Sequence, residues 1–143
     1  AVTAAEMGIL VMGTLHTNGA APTVDRIVNA FPSDKQGPIR TMLATSLRAV
    51  ISQQLIPTAD KKGRVAALEI MVNTSAVSNL IRQGKLDQLD NTIQSGISSG
   101  MQTMDGALTQ LYKQRKITGD EAYQKAIKKL KFEELKGTGL YGS

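Results

Sequence analysis

The spacing of apolar residues changes from segment to segment along this chain, and each change marks an element. Ile9 to Thr17, reading ILVMGTLHT, is apolar for four residues and then delivers Gly13, Thr14, His16 and Thr17 together. Bounded by Gly8 and the turn pair Asn18-Gly19, and rich in Ile, Leu and Val, it predicts a buried parallel strand covered on both faces. In open α/β sheets ligands bind beyond the carboxyl ends of such strands, and this end carries the only histidine. Ahead of it, Ala1 to Glu6 has helical composition but no capping residue, so the chain is expected to start inside a helix. After it, Val24, Ile27, Val28 and Phe31 recur at helical spacing. Pro22 is acceptable in a first turn, where its missing N–H has no partner, and Pro32 ends that helix. Ser33 is expected to cap the next one, whose apolar side is Ile39, Met42, Leu43 and Leu47, with Gly37-Pro38 weakening its first turns.

Ala49 to Ile56 and Arg64 to Val72 are β-rich runs joined by the short polar stretch Pro57 to Gly63, which predicts an antiparallel hairpin flanking the main sheet. Thr74 or Ser75 caps a short helix carrying Ala76, Leu80 and Ile81, and Gly84 stands where a left-handed residue ends it. Leu86, Leu89 and Ile93 predict another short helix. Ser95 to Gly100 breaks the pattern before a core stripe of Met101, Met104, Leu108 and Leu111. Thr118 with Glu121 forms a capping box for a last helix through Ala122, Tyr123, Ala126 and Ile127. Beyond Lys131, FEELKGTGLYGS lacks periodicity and is expected to be a loosely held tail. Three strands with about six or seven helices leave too little sheet for an α/β domain of this length, which points to a missing first half.

Composition narrows the function. At 143 residues with 41% hydrophobic and 20% charged, one ordinary globular domain is expected. Aromatic residues are 3% and Trp is absent, so single-stranded nucleic acid would find few stacking platforms. The basic residues are interleaved with Glu133 and Glu134 and no groove-reading motif is present, so no nucleic-acid partner is expected. Cysteine is absent, which removes disulfides, zinc-thiolate sites and thiol catalysis and agrees with a reducing compartment. No apolar run approaches the roughly 20 residues of a membrane span, and Ala1 to Leu10 lacks the basic start of a signal peptide, so a cytoplasmic location is expected. Tyr112 to Lys136 holds eight Lys/Arg against four Asp/Glu. That excess suits either a solvated helix or an acidic partner.

Several residues carry candidate chemistry. His16 can donate to an anionic oxygen in either protonation state, or can serve as a structural hydrogen bonder. Thr14 shares its face of a strand by the period of two, and is either a second donor or a plain strand residue. Arg64 opens the second hairpin strand, where a guanidinium suits a phosphate or simply the solvent. Asn79 to Arg82 reads as a capped amphipathic helix with Leu80 and Ile81 in the core. No GxxxxGK[ST] segment occurs, so the chain lacks a P-loop.

Five segments occur in order: TAAEMGILVMGTLHTNGAAPTVDRIVNAFP, SLRAVISQQLI, GRVAALEIMV, AVSNLIRQGK and IQSGISSGMQTMDGALTQL. Together, over roughly Thr3 to Ala126, they resemble the C-terminal half of the PilT-type pilus-retraction ATPases of the secretion ATPase superfamily. The resemblance implies an α/β fold, the C-terminal part of a RecA-like ATPase domain with a β-hairpin and a C-terminal helical bundle. It divides the chain into a sheet half (1–72), a helical output region (73–130) and a loose tail (131–143). It also implies a hexameric motor that retracts type IV pili on the cytoplasmic face of the inner membrane, with an inner-membrane pilus platform protein as partner. On the same resemblance His16 and Thr14 are expected to be catalytic, Arg64 to lie near the nucleotide, and Asn79, Leu80, Ile81 and Arg82 to form a retraction motif coupling turnover to output. ATP and Mg would be held through the absent N-terminal half, which carries the P-loop and catalytic carboxylate. No metal site and no activity are expected of these residues alone.

Relatives that assemble pili carry a four-cysteine zinc insertion in the hairpin, and here that connection is only Pro57 to Gly63, without cysteine. The retraction branch is therefore favoured. Two departures stand out: Ile9 occupies a place where the family often has a second histidine, and Ser78 and Gln83 replace an Arg and a Glu of the retraction motif. The rival reading is a non-catalytic interaction module of the same fold, binding an acidic protein partner through the basic tail.

Overall fold

Alternation of inward and outward residues along two nine-residue runs builds the centre of the molecule. In the computed structural model, which describes residues 1–143, Ala49–Pro57 (β1) and Arg64–Val72 (β2) pair antiparallel from Ala49↔Val72 to Pro57↔Arg64. Val50, Ser52 and Ile56 from β1, with Ala67, Glu69 and Met71 from β2, face inward and are buried. The connecting loop closes through Thr58 N–H donating to Gly63 O (3.0 Å) and through Asp60, whose Oδ1 accepts from the Thr58 hydroxyl (2.6 Å) and Lys62 N–H (2.9 Å).

Seven α-helices surround this hairpin: Val2–Glu6 (α1), Ala20–Asn29 (α2), Ser33–Ser46 (α3), Ser75–Gln83 (α4), Leu89–Ser95 (α5), Met104–Lys113 (α6) and Gly119–Lys125 (α7). Short 3-10 turns occupy Leu86–Gln88, Ile97–Ser99 and Lys129–Leu135. Two apolar cores form at opposite ends of the hairpin's inner face. At its open end, Val50 and Met71 pack with Val24 and Val28 of α2, Leu43 of α3, Val77 and Ile81 of α4, and Leu89 and Ile93 of α5. At the loop end, Ile56 and Ala67 pack with Met104, Leu108 and Leu111 of α6, Ile117, Ala122 and Phe132. Between the cores lie Ser52 and Glu69, opposed in the ladder.

Local chemistry explains the helix ends. The Thr74 hydroxyl accepts from Val77 N–H and caps α4, and Gly84 closes it at φ +71°, a left-handed conformation that glycine adopts without a Cβ clash. Thr103 and Thr118 cap α6 and α7 in the same way, accepting from Gly106 and Glu121 N–H. Pro32, not Ser33, occupies the N-cap of α3, which makes no side-chain cap bond. That helix runs through Pro38 despite the weakening expected of it.

Three expectations are corrected. Ile9–Thr17 is not a strand: residues 9–15 have no regular structure and all of Ile9 to His16 is exposed. A parallel strand needs a ladder partner, and the two strands present pair with each other, while Ile70 of β2 exchanges both backbone bonds with Gln102 on its other side. The sheet therefore has two strands, not three. The last helix stops at Lys125 because Ala126 turns extended, short of Ile127. In place of a loose tail, Phe132 is buried, Gly119 and Asp120 N–H donate to Gly139 O (2.8 Å) and Thr138 O (3.0 Å), and Tyr141 meets the Tyr112 ring edge-on at 5.3 Å. Each core also draws residues from both sides of position 72. No helix is long and apolar enough to cross a membrane.

Candidate functional site

The residues that follow His16 are anchored even though His16 and Thr14 are exposed. Gly19, at φ +113° and ψ 160°, turns the chain into α2 in a region of backbone space that is essentially glycine's own. Its N–H donates to Ser52 Oγ at 2.8 Å, and the next N–H, of Ala20, donates to Glu69 Oε1 at 3.1 Å. Thr23 donates its hydroxyl proton to Gly19 O (2.7 Å), so its oxygen accepts from the Thr17 hydroxyl at 2.6 Å. The segment bearing Thr14 and His16 thus has a fixed end at the hairpin centre and a solvent-facing body.

Glu69 does more than hold α2. Its other oxygen, Oε2, accepts from Met104 N–H at 3.1 Å, and Met104 is the first residue of α6 as Ala20 is of α2. A carboxylate between two helix N-termini meets unpaired N–H groups and the positive ends of two helix dipoles. Sequence reading passed over Ser52 and Glu69. The signal was present in β2, where alternation puts Glu69 on the same face as Ala67 and Met71.

The other predicted site residues lie elsewhere. Arg64 is exposed at the loop end of β2, five residues from Glu69 and so about 17 Å along the strand. Asn79 to Arg82 lies beyond the opposite end. Ile81 is buried and Leu80 half-buried, while Asn79 and Arg82 are exposed and joined by Arg82 Nη1 donating to Asn79 Oδ1 at 3.0 Å. These two, with Arg48, Thr45, Ser75 and Ser78, line a polar cavity of about 380 Å³. Its floor is tied down by Asn73 Nδ2, which donates to Ala44 O (2.9 Å) and Leu47 O (2.7 Å), and by Ser78 Oγ, which donates to Ala44 O (2.6 Å). Within this chain, then, Thr14 and His16 share one segment, Asn79 and Arg82 share another, and Arg64 joins neither.

The basic C-terminal region turns its charge partly on itself. Lys128 makes the single ion pair, to Asp90 at 2.7 Å, and that carboxylate's hydrogen bond and charge hold the Lys128 ammonium above its usual range. Lys129 Nζ donates to Tyr123 O (3.1 Å) and Gln124 O (2.7 Å) at the end of α7, and Lys129 and Lys136 lie over the Tyr123 ring. No three His, Cys, Asp or Glu side chains gather in a way that could hold a metal.

Comparison with known proteins places this geometry in context. A family described as type II/IV secretion system protein matches residues 1–135. A twitching motility protein of Neisseria gonorrhoeae is 52% identical over 126 residues, covering 88% of this chain and 34% of its own length. The type IV pilus retractation ATPase PilT of Pseudomonas aeruginosa is 50% identical over 126 residues, covering 88% of this chain and 36% of its own. Among solved structures, that of the pilus retraction motor PilT with bound ADP superposes with a TM-score of 0.79 at 38% identity, over 93% of this chain and 38% of the other. The chain spans 34% and 36% of the two curated relatives.

Proposed function

The chain belongs to the type II/IV secretion system protein family, and from that premise we propose that it supplies the phosphate-facing and output portion of a hexameric ATP-driven motor that retracts type IV pili. The observation that carries the reading is the fold's likeness, over 93% of the chain, to a pilus retraction motor. The short hairpin connection without cysteine supports the retraction branch over the assembly branch.

In this reading Thr14 and His16 point donors at the γ-phosphate of ATP, the hydroxyl and imidazole N–H stabilising charge that develops on its oxygens during transfer. Their segment, exposed here, takes its strand neighbours from residues outside the 143. Magnesium and the P-loop contacts also fall to such residues, since no GxxxxGK[ST] segment is present. Arg64 reaches the nucleotide from the hairpin loop as a phosphate-binding guanidinium. Residues 73–130 then carry the output, with Asn79 and Arg82 presenting the retraction motif beside the polar cavity. Hexamer contacts and an inner-membrane pilus platform protein on the cytoplasmic side complete the assembly.

The test is Asn79→Ala with Arg82→Ala in the complete protein. Hexamer formation and nucleotide binding should persist while pilus retraction is lost. Normal twitching motility at normal protein level would reduce the motif to an ordinary capped helix.

A further inference from the structure

Glu69 is 4% exposed and Ser52 is 5% exposed, in the gap between two apolar cores that could have met as one. No Lys or Arg reaches Glu69, so a buried acid here is compensated by backbone N–H groups, one from each of two helices. A purely apolar contact would hold α2 and α6 near the hairpin without fixing their rotation or their starting residue. Two directed hydrogen bonds fix both.

The placement gives this bridge a task. Ala20 follows Gly19, which Ser52 holds, and three residues earlier stands His16. At the bridge's other side Met104 begins α6, whose start also lies one residue past the Thr103 cap and two past Gln102, the residue paired with β2. A change in position of the Thr14–His16 segment therefore reaches α6 through one side chain.

We propose that Glu69, assisted by Ser52, is the positioning residue of the phosphate-facing site, fixing where the Thr14–His16 segment ends and tying that segment to the start of α6. The proposal rests on the reading that Thr14 and His16 face the nucleotide. Glu69→Gln is the informative change because it preserves shape. The carboxamide offers its one oxygen as acceptor and turns an NH2 group toward the other backbone donor, so one helix start loses its partner outright and the other, tied through the same side chain, loosens with it.

In the complete protein, Glu69→Gln should lower kcat for ATP hydrolysis at least about tenfold while KM changes less than about threefold, since the loss is in transition-state positioning. Because Glu69 acts through His16, the double variant His16→Ala, Glu69→Gln should be no slower than His16→Ala alone. Amide hydrogen exchange should quicken at the starts of both α2 and α6. Wild-type kcat in Glu69→Gln, or losses that multiply in the double variant, would overturn the proposal. If Glu69→Gln does not assemble, Ser52→Ala replaces it, freeing Gly19 N–H alone. A lowered kcat with faster exchange at the start of α2 supports the proposal, and unchanged kcat overturns it. If His16→Ala itself keeps full activity, the reading of His16 has failed, and exchange alone then decides Glu69. Loosening at both helix starts upholds the tie, and loosening at one or neither refutes it.

Discussion

Single residues divide here by what surrounds them more than by what they are. Leu80 and Ile81 are neighbours in one apolar motif, and sequence spacing assigns both to the core, yet Ile81 is fully buried in the open-end core and Leu80 only partly. Ile81→Ala should therefore cost about 2–5 kcal/mol of unfolding free energy and Leu80→Ala clearly less, as urea denaturation would measure. Equal losses would contradict this assignment of burial. Arg82, exposed in the last turn of α4, gains only about 0.3–1 kcal/mol from the helix dipole, so its removal should leave the fold intact. Caps were readable at this scale because a Thr side chain and its acceptor geometry are local: Thr74, Thr118 and Gly84 fall where the sequence puts them. Glu69 was not readable as a two-helix bridge, because its partners lie 49 and 35 residues away.

Elements were legible when both partners were local and misleading when they were not. The hairpin follows from two β-rich runs and the short polar connection between them, and its observed ends match the expected ones to within a residue. ILVMGTLHT has the same apolar character, but a strand exists only with a neighbour to bond, and pattern alone does not reveal whether one is present. The tail was misjudged for a related reason: Phe132, buried, and Leu135, half-buried, anchor it without periodicity, and such anchors suffice when Gly119 and Asp120 bond the chain beyond them. Phe132→Ala should cost about 3–5 kcal/mol and make residues 129–143 sensitive to limited proteolysis. An unchanged protease pattern would mean the backbone bonds hold the tail unaided. The hairpin loop should respond to acid. The Thr58 hydroxyl, then the Lys62 amide, hold the Asp60 carboxyl below its ordinary value of 3.8. Its folded value is the depressed one, so the loop's bonding is complete above that ordinary value and lost as pH falls through the folded one. Amide exchange at Lys62 should therefore rise in strong acid, and Asp60→Asn should remove the change.

For the whole molecule, the exposed apolar segment sets solution behaviour. Ile9 (57%), Leu10 (82%) and Met12 (86%) present bare aliphatic surface that a net charge of +5 offsets only in part. Light scattering should show concentration-dependent self-association, reversed by Leu10→Asp with Met12→Asp. A monomer at high concentration would show that this surface is not adhesive. Without a P-loop, the 143 residues should release no phosphate from ATP. Magnesium-dependent hydrolysis abolished by His16→Ala would refute that and relocate the chemistry to this chain. Fold class was legible at this scale because the resemblance spans most of the chain. The two-core layout was not, since it depends on Ser52 and Glu69 standing between the apolar residues of the inner face.

With no Trp, near-ultraviolet absorption and emission come chiefly from three tyrosines, and all three gather at one end. Tyr112 and Tyr123 pack against the loop-end core and Tyr141 rests on Tyr112. Near-ultraviolet circular dichroism of this protein is thus a one-ended probe. It should fade when the α6–α7 end is disturbed and stay blind to melting around Ile81 or to any movement of His16. Unfolding curves followed by tyrosine and by far-ultraviolet signal will coincide only if Ser52 and Glu69 make the two ends melt as one.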